Sequence, residues 1–224
     1  MERAKLCIGA GLQPRIHLDE GGDSLREILP GLFHWTSVHP KIKIEVSSHY
    51  VLGAGALIDP LVPSEGLDRL RELGPPKNIF LTNRHHYRHC AEIEREFGCP
   101  VWCNENGLHE FTQAEPVRGF RAGDVLPGGI ESFAVGAICP DETALHIAVA
   151  EGALAIADGI VRDGDGSLAF VSDELLGEKP VEVKQGLRTA YARLLDLEFD
   201  HLLFAHGEPW LGGGKAALRA FAED

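Results

Sequence analysis

The stretch Ile79-Phe80-Leu81-Thr82-Asn83-Arg84-His85-His86-Tyr87-Arg88-His89-Cys90 decides how this chain is read. Three apolar residues and a threonine run into a polar turn that carries three histidines and two arginines, and a helical pattern starts at His89. The order is strand, loop, helix. A loop at the C-terminal end of a strand can aim several side chains at one point, which is how α/β proteins commonly gather metal ligands.

Working outward, Lys41 to Val46 alternates strictly, with Ile42, Ile44 and Val46 on one face and Lys41, Lys43 and Glu45 on the other. That pattern predicts a half-buried strand. Tyr50 to Ile58 adds an apolar run that turns at Gly53 and Gly55 and ends at Asp59-Pro60. Ser64 is placed to cap a short helix whose apolar positions Leu67, Leu70 and Leu73 stop at Gly74. After the central loop, the helix to Phe97 meets an αL stop at Gly98, and Val101 to Cys103 reads as the next strand.

From Gly129 the pattern is β-rich again. Ala144 to Ala150 and Ala153 to Ala157 flank a Glu151-Gly152 turn as a hairpin. Pro180 opens the longest helix, striped by Val183, Leu187, Ala190, Tyr191, Leu194 and Leu195. A short buried strand, His201 to Ala205, then delivers His206-Gly207-Glu208, and a helix from Lys215 to Ala222 closes the chain. Asp163 and Asp165 lack the glutamate of a calcium loop and read as a hairpin turn. Residues 1–28 are expected to form an irregular arm, and 29–224 one domain. Two β-rich halves with helices outside predict an α+β protein, a four-layer αββα sandwich whose loops meet at one rim.

The 224 residues, 44% of them hydrophobic, suffice for a sizeable core. With 34 acidic against 21 basic residues the formal net charge is -13, a field that repels nucleic acid and anionic membranes. No apolar run has the length of a signal peptide or a membrane span, so a cytoplasmic protein acting on a small-molecule substrate or ligand is expected. Oligomeric state is left open. The five cysteines, an odd count spread thinly, read as free thiols.

From about Leu29 to Gly213 the chain resembles the metallo-β-lactamase superfamily. Leu57-Ile58-Asp59 resembles that family's strand-ending aspartate, and Ile79 to His89 its HxHxDH strand and loop. Gly136 to Asp141 is similar to its GHTPG-like loop, Asp158 stands at its bridging aspartate, and Ala205-His206-Gly207 at its final histidine. The resemblance implies the sandwich fold and metal-dependent hydrolysis. Setting His89 on the last motif histidine puts His86 on the second, Arg84 on the first and Arg88 on the aspartate, with Cys139 beside the position of the loop histidine. One of the two family ions then keeps only His86. The other keeps His89, Asp158 and His206.

Two imidazoles and a carboxylate with an open position suit catalytic zinc, iron or manganese. The expected site is therefore one ion on His86, His89, Asp158 and His206, with Asp158 and His206 nearest the chemistry. Its substrate class is a small ester, lactone, thioester or amide. Asp59 is placed either to orient a ligand or to cap the turn before Pro60. Arg84 and Arg88 point to an alternative. A guanidinium cannot ligate, and at ~5 Å with an effective dielectric of ~20 it costs a dication roughly 6 to 7 kcal/mol before screening. If an arginine reaches Asp158 it replaces the ion, and the chain is then a non-catalytic ligand-binding or interaction domain that holds no metal.

Overall fold

The computed structural model describes residues 23–164 and 166–224. The strands are β1 (Arg26–Leu29), β2 (Leu32–Val38), β3 (Glu45–Val51), β4 (Ala56–Ile58), β5 (Asn78–Phe80), β6 (Val101–Asn104) and β7 (Val117–Phe120), which pair in that order in one sheet. A second sheet has the order β14-β11-β10-β9-β8, from β8 (Val125–Leu126), β9 (Ile130–Ala134), β10 (Thr143–Ile147), β11 (Ala153–Ile156) and β14 (His201–Phe204). A separate hairpin joins β12 (Ile160–Arg162) to β13 (Leu168–Phe170). The helices are α1 (Leu67–Leu73), α2 (Cys90–Phe97), α3 (Pro180–Leu194) and α4 (Gly214–Glu223).

Three apolar layers hold these pieces together. Leu32, Val51, Ile58 and Phe80 of the first sheet meet Leu145, Ile147, Ala155 and Leu203 of the second in the central seam. Trp35, Leu57, Ile79 and Leu81 face the other way, onto Leu70 of α1 and Ile93 of α2. Leu154, Ile156, Leu202 and Phe204 pack under Leu187, Tyr191 and Leu194 of α3 and Leu218 of α4. This is the expected αββα sandwich. Strand β5 lies parallel between β4 and β6 and is covered on both faces, which is why Ile79-Phe80-Leu81 is unbroken by polar residues. Among the described residues no helix is long and apolar enough to cross a membrane.

Local expectations fare unevenly. The β10–β11 hairpin pairs Leu145 with Ala155, and Gly98 closes α2 in the αL conformation, donating to Glu94 O. The strand read at Lys41 to Val46 begins only at Glu45. Lys43 takes a left-handed φ of 58°, and His39 donates its N–H to Ile44 O and accepts from Lys43, closing a turn where alternation suggested a strand. Ser64 does not cap α1; its hydroxyl bonds Glu65, and Gly66, with φ 81°, precedes the helix. Residues 1–22 of the expected arm and Asp165 of the expected turn lie outside the described residues. Residues Arg26–Leu29, at the arm's end, are strand β1, paired to β2 through a turn at Gly31.

The β10–β11 turn depends on Gly152, whose φ is +89° and whose absent Cβ would collide with Glu198 O and lie 2.8 Å from Phe199 Cα. Gly152→Ala therefore adds a left-handed backbone penalty to a backbone clash, about 2–4 kcal/mol together. Thermal unfolding should show a drop of roughly 5–10 °C for a chain of this size. An unchanged midpoint would mean that the Glu198–Phe199 backbone yields freely.

Candidate metal centre

Three strand ends converge at one rim. Strand β5 leads through Thr82 and Asn83 into a 3-10 segment, Arg84–Tyr87, kinked at His86, and Asn83 caps its start by accepting the His85 N–H on its side-chain oxygen at 2.9 Å. The turn buries His86 and leaves His85 exposed. Asp158 follows β11, and His206 follows β14. Parallel pairing of β11 with β14 brings these two strand ends side by side.

His86 lies between two carboxylates. Its Nδ1 is 3.0 Å from Asp59 Oδ2 and its Nε2 is 3.1 Å from Asp158 Oδ1. His206 Nε2 reaches the same Asp158 oxygen at 3.2 Å. Asn83 Nδ2 donates to the other Asp158 oxygen at 2.8 Å. Burial by itself would favour neutral His86, yet Asp59 and then Asp158 outweigh it and push the imidazole up to about 9. Against the cost of its own burial, Asp158 is held well below the usual carboxylate range by His86 and His206.

His86, Asp158 and His206 each offer a ligand atom, all within 4.8 Å of one another. Bonds of about 2.1 Å to one ion place neighbouring ligand atoms roughly 3.0–3.4 Å apart, and the two contacts to Asp158 Oδ1, 3.1 and 3.2 Å, match that spacing. Asp59 on Nδ1 fixes which nitrogen of His86 faces the group, the usual outer support of a metal-bound histidine. By the chemistry of its donors, the group could hold a metal ion.

His89, expected among the ligands, stands apart from this group. Its Nδ1 accepts the Val62 N–H at 3.1 Å, and its carbonyl accepts from Glu92 and Ile93 at the start of α2. The cause is Arg88, whose φ of 40° reverses the chain between the 3-10 turn and the helix and turns His89 away. The arginines also differ from expectation. Arg84 pairs with buried Asp141, which accepts both its backbone N–H, at 2.7 Å, and its Nη1. Arg88 turns inward, and its guanidinium donates to the carbonyls of Ser47, Asp59 and Ala205. Neither arginine is bonded to Asp158. Cys139 is buried, and burial beside Asp141 pushes its thiol up, which favours the inert form. Trp210 does not meet the group; its ring carries the Arg162 guanidinium 4.8 Å from the centroid.

Sequence reasoning missed Asn83 and the support beneath Asp158. Glu142 Oε1 accepts the Gly159 N–H at 3.0 Å and Oε2 that of Ile138 at 3.2 Å, so a buried carboxylate pins the residue after Asp158. A Cβ at Gly159 would collide with Tyr191 Oη and lie 2.8 Å from Glu142 Oε1. The signal available was a Glu beside Asp141 in an otherwise apolar segment.

No protein-family model and no curated protein matches the chain. Solved structures do. A B3 metallo-β-lactamase described as the first with an active-site glutamic acid aligns at a TM-score of 0.65 and 18% identity, over 91% of this chain and 88% of that one. A metallo-β-lactamase family protein from Thermus thermophilus aligns at 0.62 and 20%, over 88% and 78%. A protein solved in a di-iron-bound form aligns at 0.56 and 20%, over 85% and 94%. At such identity the likeness establishes the fold, and the fold is that of the metallo-β-lactamases.

Burial, aided by the Asp158 charge and opposed by the Ile138 and Gly159 N–H groups, raises Glu142 from 4.5 to about 7. The folded state then holds that proton more tightly than the unfolded chain, so the stabilising contribution is complete below about pH 4.5 and lost as pH rises through about 7. Glu142→Gln removes the titration. Relative to wild type, the variant should gain about 2 kcal/mol in denaturant melts on going from pH 5 to pH 8. Parallel stabilities at both pH values would count against a titrating Glu142.

Proposed function

From the metallo-β-lactamase fold and the group at its rim, we propose that this chain is a metal-dependent hydrolase with a single ion on His86, Asp158 and His206, acting on a small ester, lactone, thioester or amide. The observation that carries the reading is the convergence of two imidazoles and one carboxylate within 4.8 Å. When bound, zinc, iron or manganese supplies a Lewis acid that polarises a carbonyl and activates water. The di-iron form of one solved neighbour supports metal chemistry on this fold.

The chain's own residues divide the remaining work. Asp59 orients His86 through Nδ1 and accepts the Thr82 N–H at 2.8 Å. Asn83 holds the distal oxygen of Asp158 and leaves Oδ1 facing the histidines. Leu203 and Phe204 are fully buried, so His206 leaves a rigid strand end and keeps its direction. Arg84, spent on Asp141, supports a one-ion site over a two-ion site.

One observation favours the second reading, a ligand-binding or interaction domain without metal. His86 between two carboxylates, with Arg88 close by, satisfies the local charges without an ion. Metal titration separates the readings. Protein stripped of metal and titrated with zinc, manganese and iron in turn should bind about one ion per chain. His206→Ala and Asp158→Asn should each weaken it at least a hundredfold, Asp59→Asn about 10–100-fold, and His89→Ala should retain it. Loaded protein should then turn over some member of an ester, lactone, thioester and amide panel, and His206→Ala should not. Absence of binding by all three ions would overturn the hydrolase reading in favour of the metal-free one.

A further inference from the structure

A second pair of histidines lies where the two sheets meet, apart from the group at the rim. His34 of β2 and His49 of β3 are direct cross-strand partners, their ring centroids 5.1 Å apart. Phe33, Trp35 and Tyr50 alternate with them and face the layer of α1 and α2, so both imidazoles share the face of Leu32 and Val51, toward the second sheet. Their exposure is 0% and 2%. Both ring nitrogens of His34 and Nε2 of His49 lack a hydrogen-bond partner. A neutral imidazole bears this at some cost, but a second proton turns both nitrogens of a ring into donors and buries a charge that nothing receives.

The groups around the pair oppose a further proton. Arg26 stands opposite His34 in register, and its half-exposed guanidinium meets Glu208 at 2.6 Å. Asp23 draws a proton toward His34 but is outweighed by Arg26. Arg88, bonded to the carbonyls of Ser47 and Asp59, repels a charge on His49, as does His34. Asp59, at the end of β4, gives its carboxylate to Thr82 and His86. Across the seam stand the apolar Leu145, Ala155 and Leu203. Burial first, and then Arg26, lowers His34 to about 4; burial, His34 and Arg88 hold His49 well below the ordinary histidine value.

The position of the pair gives this a consequence for the rim. Ser47, two residues from His49 on β3, donates its N–H to Ala205 O and its hydroxyl to Gly207 O, each at 2.9 Å, and these bonds tie β3 to the segment that carries His206. Water reaches a charged pair only when this end of the seam parts. We propose that His34 and His49 form an acid-sensitive latch, which in mild acid takes up protons by parting β2 and β3 from β14 and so breaks the Ser47 bonds to Ala205 and Gly207. The open chain, with histidines near 6.5, binds more protons than the closed one between about pH 6.5 and 4. The latch is therefore at full strength above about pH 7 and weakens as pH falls, roughly twentyfold per histidine between pH 7 and pH 5. It does not rest on the single-ion reading and holds for a loaded or an empty rim.

The test is amide hydrogen exchange on full-length protein without added metal, at pH 7 and pH 5, with each rate set against its unprotected value. From pH 7 to pH 5, protection of the Ser47 N–H should fall at least tenfold more in wild type than in the double variant His34→Leu, His49→Leu. Groups such as His86, Asp158 and Glu142 titrate in both proteins and drop out of the comparison. Equal losses in the two proteins overturn the inference. At pH 5 wild-type Ser47 should also be at least tenfold less protected than Ile79, whose N–H bonds Pro100 O inside the first sheet; equal protection means that the whole fold opens together, and the latch is overturned. Should the double variant not fold, wild type answers alone. In its nuclear magnetic resonance spectrum the ring protons of His34 and His49 should keep their neutral positions at pH 5, where an exposed histidine is charged, and charged positions in the folded protein overturn the inference.

Discussion

Asp59 is the residue on which the rim depends. It ends β4 with a φ of 48°, a left-handed conformation that a non-glycine residue adopts only when its surroundings hold it there. They do so from every side. Its carboxylate accepts the Thr82 N–H and hydroxyl and faces His86 Nδ1, while its carbonyl accepts from the Ser48 hydroxyl and the Arg88 guanidinium. Burying a carboxylate is costly unless every lone pair finds a donor. Here the donors are the N–H and hydroxyl of Thr82, just past β5, and the imidazole that faces Asp158. The cost of burial is thus turned into geometry: displacing any one of these partners leaves a buried charge short of a donor.

The second constraint is the stitching of the two sheets at the same rim. Ser47 of β3 donates its N–H to Ala205 O and its hydroxyl to Gly207 O, each at 2.9 Å, and Arg88 spans from Ser47 and Asp59 to Ala205. Elsewhere the sheets meet through apolar side chains, which tolerate small sliding motions. Hydrogen bonds at this end do not, and they fix His206 relative to His86 across the seam. Gly207 contributes by having no Cβ: with φ +90° it lies against the backbone of Arg162, 2.8 Å from the carbonyl oxygen at the position where a Cβ would be.

Much of this architecture is legible in the residues. The covered run Ile79-Phe80-Leu81, the Glu151-Gly152 turn and the α3 stripe each obey one periodicity, because their environment is uniform along their length. Asp158 and His206 were readable as strand ends because polar residues there have no packing reason to be present. His89 and Arg88 were not, since their directions hang on one backbone angle at Arg88 that no composition or spacing encodes. The turn at Lys43 hid for the same reason: Lys41 to Val46 alternates perfectly, and a left-handed residue inside it decides otherwise. Glu142 was hidden by distance, since its partner Gly159 lies on another strand end. Residue types reveal which groups are unusual; only packing reveals which of them meet.

The origins of the three gathered groups also bear on how the chain folds and comes apart. His86 leaves the first sheet, whereas Asp158 and His206 leave the second, and β14 follows all the other described strands in sequence. The group is therefore incomplete until both sheets have docked. Interactions absent from the folding transition state leave the folding rate almost untouched and act on escape from the native state. Whatever occupies the rim, a proton shared with His86 or an ion, meets all three groups only in the docked state and so protects that state. The newly made chain gains that protection only once His206 has left the ribosome.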